Sequence, residues 1–267
     1  MKKLTVLAAG VLLLVPTLAF SDSISIRAGF YLPRMMTESF LMNHLDNLFT
    51  IEFQNMSFLP KDFRGGIIGA EYDYFLNKYV SLALGIDSFN RNQVGFYRDW
   101  VSNTLTEGDF AFPFELFEGS DIIHSLRLSY TPLQLSLKLL PLGRRAKIAP
   151  YVGGGATLAF WSVRMFGESV DFNPVDELGN PIQFFYDDPV LGEIEVFPVV
   201  PLAARESGVS FGWHAMGGFQ IPIGYRATIE AEARYHSVRG ELHKLFEGFS
   251  PLELGGWAFT AGLSYWF

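Results

Sequence analysis

A chain of 267 residues with a formal charge of −8 and no cysteine fits one domain and excludes disulfides, thiol catalysis and an N-terminal lipidated cysteine. Its 28 Asp and Glu against 20 Lys and Arg disfavour nucleic acid as a partner. Aromatic residues at 16 % together with 26 glycines favour strands and tight turns over helices.

Lys2 and Lys3, the apolar run from Leu4 to Leu18, and Ala19-Phe20-Ser21 read as a signal peptide over residues 1–21, leaving residues 22–267 as one domain. A spanning helix is the rival reading. The run falls short of the roughly 20 apolar residues a bilayer requires, and Pro16 interrupts it. The first run of the domain alternates strictly, with Ile24, Ile26, Ala28, Phe30 and Leu32 set against Ser25, Arg27, Gly29 and Tyr31. A long connection follows. In it Thr37, Glu38 and the apolar Phe40, Leu41, Leu45, Leu48 and Phe49 predict a capped amphipathic helix of about a dozen residues. Two alternating runs come next. Ile68, Ala70, Tyr72 and Tyr74 oppose Gly69, Glu71 and Asp73, and Val80, Leu82, Leu84 and Ile86 oppose Ser81, Ala83, Gly85 and Asp87.

The second long connection is rich in aromatic residues, among them Trp100. Loops wholly surrounded by water do not need such surface, so Phe40, Leu45, Leu48 and Trp100 form a candidate apolar loop site. From 122 to 139 the apolar parity is even at Leu126, Leu128 and Tyr130 and odd at Leu133, Leu135, Leu137 and Leu139. A bulge near Thr131-Pro132 would restore one continuous face. The fifth run, 147–163, contains Pro150 and Gly153-Gly154-Gly155, where glycine marks a bend or a close approach of backbones. An acidic connection over 164–206 has no defined calcium-loop spacing. The later runs are Val209 to Ile221, Ile229 to Tyr235 and Gly256 to Phe267. In the last, Trp257, Phe259, Ala261, Leu263, Tyr265 and Phe267 share a face.

Each run is about the 9 to 11 residues that a tilted strand uses to cross a bilayer, and long and short connections alternate. The large apolar face opposes a face too small and polar to be the outside of a soluble barrel. It therefore faces lipid. The predicted fold is all-β: a transmembrane, antiparallel, up-and-down barrel of eight strands with long extracellular loops and short periplasmic turns.

Ala149-Pro150-Tyr151-Val152-Gly153-Gly154-Gly155, the segment Tyr130 to Lys138 and the aromatic end at Phe267 resemble the eight-stranded outer-membrane barrels typified by the OmpA transmembrane domain, OmpX, OmpW and the opacity proteins. The resemblance implies the outer membrane of a diderm bacterium, contact with its lipid, and a monomer. It also implies that Trp257, Phe259, Leu263, Tyr265 and Phe267 are the signal read by the barrel-assembly machinery. A small hydrophobic ligand, as for OmpW-like barrels, or a surface partner is the further expectation.

Inward positions carry the acids Glu71, Asp73, Asp87, Glu230 and Glu232 and the bases Arg27, Arg127, Lys138 and Arg234, with His236 beside them. An eight-stranded lumen is just wide enough for side chains to fill, so these charges are expected to pair into a plug; a narrow polar path is the alternative. No cofactor or metal motif is read. His236-Ser237 is superficially similar to the lipid A deacylases, but neighbours in a strand point to opposite faces and cannot act as a nucleophile pair. The expected function is non-enzymatic display of loops for envelope integrity or surface contact. The alternatives are passage of small apolar molecules and, less favoured, lipid modification.

Overall fold

The computed structural model of the chain describes residues 22–96, 122–171, 174–188, 192–196 and 198–267. The proposed signal peptide and the second connection, with Trp100, lie outside them. Eleven strands are present among the described residues: β1 (Ser23–Pro33), β2 (Gly65–Phe75), β3 (Val80–Phe96), β4 (Ile123–Leu139), β5 (Ala149–Val170), β6 (Phe184–Asp188), β7 (Gly192–Val196), β8 (Val199–Pro222), β9 (Ala227–Gly240), β10 (Leu252–Glu253) and β11 (Gly256–Trp266). Eight of them close a barrel in the order β9-β11-β1-β2-β3-β4-β5-β8, and β8 pairs with β9 to complete the ring. Every pairing is antiparallel. Full closure removes the edges that would leave backbone groups unpaired in lipid. The hairpin β6–β7 and the short β10 lie outside this ring.

The turns after β2, β4 and β8 are short; the other connections are long. Asn77 shapes the first turn by accepting hydrogen bonds at its Oδ1 from the backbone N–H groups of Tyr79 and Val80, at 2.8 and 3.0 Å. Asp22 and Phe267 lie at this turn end, where the Phe267 N–H donates to the Asp22 carbonyl at 3.0 Å. Strand facing follows the alternation. Ile24 and Ile26 are exposed on the outer wall while Ser25 and Arg27 are buried inside. Among the described residues no helix is long and apolar enough to cross a membrane; the crossing is made by strands with an apolar outside. Trp213, Tyr235 and Trp257 form part of an aromatic girdle, with ring centroids 5.9 and 5.2 Å apart on adjacent strands.

The glycine run of β5 is a close approach of backbones and not a bend. A Cβ on Gly155 would fall 1.8 Å from the Leu135 carbonyl oxygen of the neighbouring strand, which only glycine avoids.

Two expectations require correction. The phase change in β4 is not a bulge. His124 through Leu139 pairs with β5 in unbroken register, and the even positions Leu126, Leu128, Tyr130, Gln134, Ser136 and Lys138 are all buried. The solvent outside the wall changes instead. Below Thr131-Pro132 the wall is leucine and the inside polar, as lipid demands; above it the wall is Arg127 and Ser129 and the inside is Leu126 and Leu128, as water demands. β5 and β8 rise beyond the same boundary, to Val170 and Val199, so the third connection is shorter than the predicted 164–206.

The single helix of the first connection is two helices, α1 (Glu38–Asn43) and α2 (Leu48–Asn55). Thr37 caps the first through the Phe40 N–H at 3.3 Å, as expected. The break arises because Asn47 caps a second start, accepting from the Phe49 N–H at 3.1 Å. Leu45 lies in the interruption, 59 % exposed, and leaves the apolar group, whereas Phe40, Leu48 and Phe49 are buried. Helices this short are marginal alone. They persist by setting Phe49, Phe53 and Met56 into a cluster with Phe63, Leu126 and Leu128 over the barrel mouth, where each fully buried large apolar side chain contributes about 1.5–3 kcal/mol.

Candidate functional site

The barrel interior is stacked in three layers. At the turn end Phe75 stacks on Trp266 with centroids 5.1 Å apart, and the Arg144 guanidinium lies 5.0 and 5.2 Å from the two rings. Above this floor comes a charged layer, and above that the apolar cluster capped by the first connection.

Register builds the charged layer. Arg27 on β1 reaches Glu71 on β2 at 2.7 Å and, with Nε and Nη2, grips both Asp87 oxygens on β3 at 2.9 and 3.0 Å. This fork suits a planar guanidinium. Gln134 on β4 completes the group: its Oε1 accepts from Arg27 at 3.0 Å and its Nε2 donates to Asp87 at 2.8 Å. Glu71 is the hub. It also accepts from Lys138 and, at 2.7 Å, from Arg234. Lys138 binds Asp73 at 3.1 Å, and Arg234 binds Glu232 at 2.8 Å. Tyr151 donates to the other Glu232 oxygen at 2.9 Å. These groups come from six of the eight barrel strands, β1, β2, β3, β4, β5 and β9, so the network staples the barrel across its lumen.

The structure thus gathers Arg27, Glu71, Asp73, Asp87, Lys138, Glu232 and Arg234. Glu230 also faces inward and accepts a hydrogen bond from Gln220 at 3.5 Å, outside this ion-paired group. His236 faces inward above the network, and its ring nitrogens make no hydrogen bond to the described residues. It packs among the aromatic rings of Tyr31 and Tyr130, with centroids 6.2 and 6.0 Å away. Arg127 is the correction: it stands on the outer wall, beyond the lipid band, donating to Asn90 Oδ1 at 3.0 Å. Its parity was read through a boundary where the outer solvent changes.

Gln134 and Tyr151 were not singled out. Gln134 shares the parity of Lys138, which was signal enough; Tyr151 lies in the strand whose glycines left its facing open. His214 forms a separate node, its Nε2 2.8 Å from Ser136 Oγ and its Nδ1 2.8 Å from Thr157 Oγ1. Among the described residues no carboxylate hydrogen-bonds to this node. His236 faces inward and is buried, whereas its neighbour Ser237 lies on the other face of the strand, partly exposed. Among the described residues no group of three or more acids and histidines could hold a metal ion.

The wall parts at the upper end of the β8–β9 seam. β8 pairs with β9 only from Pro222↔Thr228 to Gly212↔Val238, and a cavity of about 640 Å³ occupies the gap above. Trp161 fills its inner side, held by a 2.9 Å bond from Nε1 to Ser210 Oγ and fitted against Gly208 and Gly240. A Cβ on these glycines would come within 2.6 and 2.8 Å of the indole.

A closed eight-stranded barrel with an apolar belt, a charged lumen and long loops at one end is an outer-membrane β-barrel, the class the fold and its interior define. No family model matches the chain, and no curated protein is similar to it in sequence. Solved structures align with the chain at low identity. A major outer membrane protein from Thermus thermophilus aligns at 11 % identity over 94 % of this chain and 100 % of its own, with a TM-score of 0.45. OprG from Pseudomonas aeruginosa aligns at 11 % over 93 % and 97 %, with a TM-score of 0.44. Outer membrane protein W of E. coli aligns at 13 % over 94 % and 100 %, with a TM-score of 0.38.

Proposed function

We propose that the chain is a sealed, non-enzymatic barrel of the outer membrane that anchors a surface built from its loops, serving envelope integrity or contact at the cell surface. The observation that carries this reading is the lumen. An ion network drawn from five of the eight strands fills the middle, between an aromatic floor and an apolar cap. The test is conductance in planar bilayers. The unmodified chain should show small, infrequent openings, increased when Glu232 and Arg234 are both replaced by Ala. Five inward carboxylates (Glu71, Asp73, Asp87, Glu230, Glu232) against three inward cations (Arg27, Lys138, Arg234) should make any such current cation-selective. A large steady conductance in the unmodified protein would overturn the reading.

A second reading is favoured by the gap between β8 and β9. It sets Trp161, Val209 and Phe211 together at the seam among polar neighbours such as Arg205 and Glu241, which supports a route for binding or passage of small hydrophobic molecules that need not cross the ion network. Quenching of Trp161 emission by an apolar probe in nanodiscs, read in a variant whose other tryptophans are Phe, tests it, and no quenching at probe saturation of the lipid would reject it.

A further inference from the structure

Three arginines stand directly opposite one another on the outer wall. Arg127 on β4 pairs in register with Arg164 on β5, and Arg164 with Arg205 on β8. Directly opposed residues share a face with Cβ atoms about 4.5–5.5 Å apart, and like charges so placed destabilise a sheet. Among the described residues no carboxylate forms an ion pair with any of the three. Arg127 is steadied by Asn90, and the Arg164 guanidinium lies 5.8 Å from the Phe166 ring. The nearby Glu206 points inward and is engaged by the backbone N–H groups of His243 and Lys244, at 2.5 and 3.2 Å.

The rows beneath the arginines grade towards lipid. Next comes Ser129–Ser162–Ser207, then Thr131–Phe160–Val209, then Leu133–Leu158–Phe211. Phe211 is 83 % exposed. The wall therefore presents guanidinium, hydroxyl and hydrocarbon in sequence over three strands. At its β8 edge the cavity adds Lys244 and Arg239 beside Arg205, above Val209 and Phe211, with Glu241 also in its lining; Arg239 is shared with Glu253 at 3.3 Å. A ligand matching this gradient carries anionic oxygens at one end, hydrogen-bonding groups beneath them and acyl chains below. Guanidinium forks bind phosphate oxygens in pairs.

We propose that the outer wall of β4, β5 and β8 binds the phosphorylated head group of an outer-leaflet glycolipid. Arg127, Arg164 and Arg205 hold its phosphates, and Leu133, Leu158 and Phe211 receive its acyl chains. The mutual repulsion of the arginines is then relieved by the ligand, so the row is matched to a membrane surface rich in phosphate.

The test uses the full chain in phosphatidylcholine nanodiscs, with and without diphosphoryl lipid A, and the variant Arg127→Gln/Arg164→Gln/Arg205→Gln. Native mass spectrometry should show lipid A retained by the parent and bound roughly tenfold or more weakly by the variant. In phosphatidylcholine alone the variant should melt at the same temperature as the parent or higher, because like-charge opposition is gone. Lipid A should raise the melting temperature of the parent more than that of the variant. Should the triple variant not fold, Arg164→Gln at the centre of the row must weaken retention by about threefold or more. Equal retention by parent and variant overturns the proposal. So does inorganic phosphate reproducing the full stabilisation, which would mark a free-anion site.

Discussion

Replacing Arg27 by Met removes the cation that grips Asp87 while keeping an unbranched side chain in the lumen. The attraction lost is large in gross terms. At 2.9 Å and an effective dielectric of about 20, one ion pair is worth about 6 kcal/mol before desolvation. Desolvation has already consumed much of that, so the net cost is set by the charge left behind, about 3–5 kcal/mol for one partner of a buried pair. Glu71 is protected, since Lys138 and Arg234 still reach it. Asp87 keeps the amide of Gln134. The penalty therefore falls on Asp87, and adding Asp87→Leu should recover more than half of it. Urea unfolding in lipid vesicles, followed by tryptophan emission, measures both variants. An Arg27→Met cost below about 0.5 kcal/mol, within the range of an ordinary surface change, would refute the reasoning. A double variant less stable than the single one would do the same.

Three further outcomes follow from the fold. A protease site inserted after Asn180, at the loop end, should be cut on intact cells, and one inserted after Asn77, in the opposite turn, should not; cleavage at Asn77 in sealed cells would invert the topology. Gly240→Ala should push the Trp161 indole from its slot, shift its emission and cost about 1–3 kcal/mol from overpacking, and an unchanged spectrum would show that the gap is wider than described. Phe49→Ala should loosen the first connection to limited proteolysis, at a local cost of about 3–5 kcal/mol, with the barrel intact. Leu45→Ser, at an exposed position, should leave the digestion pattern unchanged.

The barrel was legible because lipid imposes a rule that water does not. In Gly256 to Phe267 the alternation of large and small residues states which face meets hydrocarbon, and the structure places Trp257, Phe259 and Leu263 on the exposed wall. The same rule failed at Arg127, because alternation reveals that two faces differ and not which solvent lies outside. Leu126 and Leu135 carry the same chemistry and face opposite ways; only the height of each along the barrel separates them. Pair identities were legible only in part. That Arg27 is inward follows from β1 alone, but that it meets Asp87 and Gln134 depends on the stagger of four strands. Leu45 was misplaced for a local reason: its spacing suits one long helix, while Asn47 competes for a new start.

The apolar belt also has uneven height. On β4 the lipid-facing leucines run from Leu133 to Leu139, six residue steps or about 20 Å of strand, which projects to about 15 Å at a tilt near 40°. On β11 the belt runs from Trp257 to Phe267, ten steps, which projects to about 26 Å. A bilayer cannot match both sides of such a cylinder at once. It thins beside β4 or the barrel leans towards that side, each at a modest cost per ångström of mismatch. The protein therefore carries a built-in preference for one azimuth of its lipid annulus, so neighbouring barrels in a crowded membrane should meet it side-on in a favoured orientation, their deformed lipid patches overlapping next to β4.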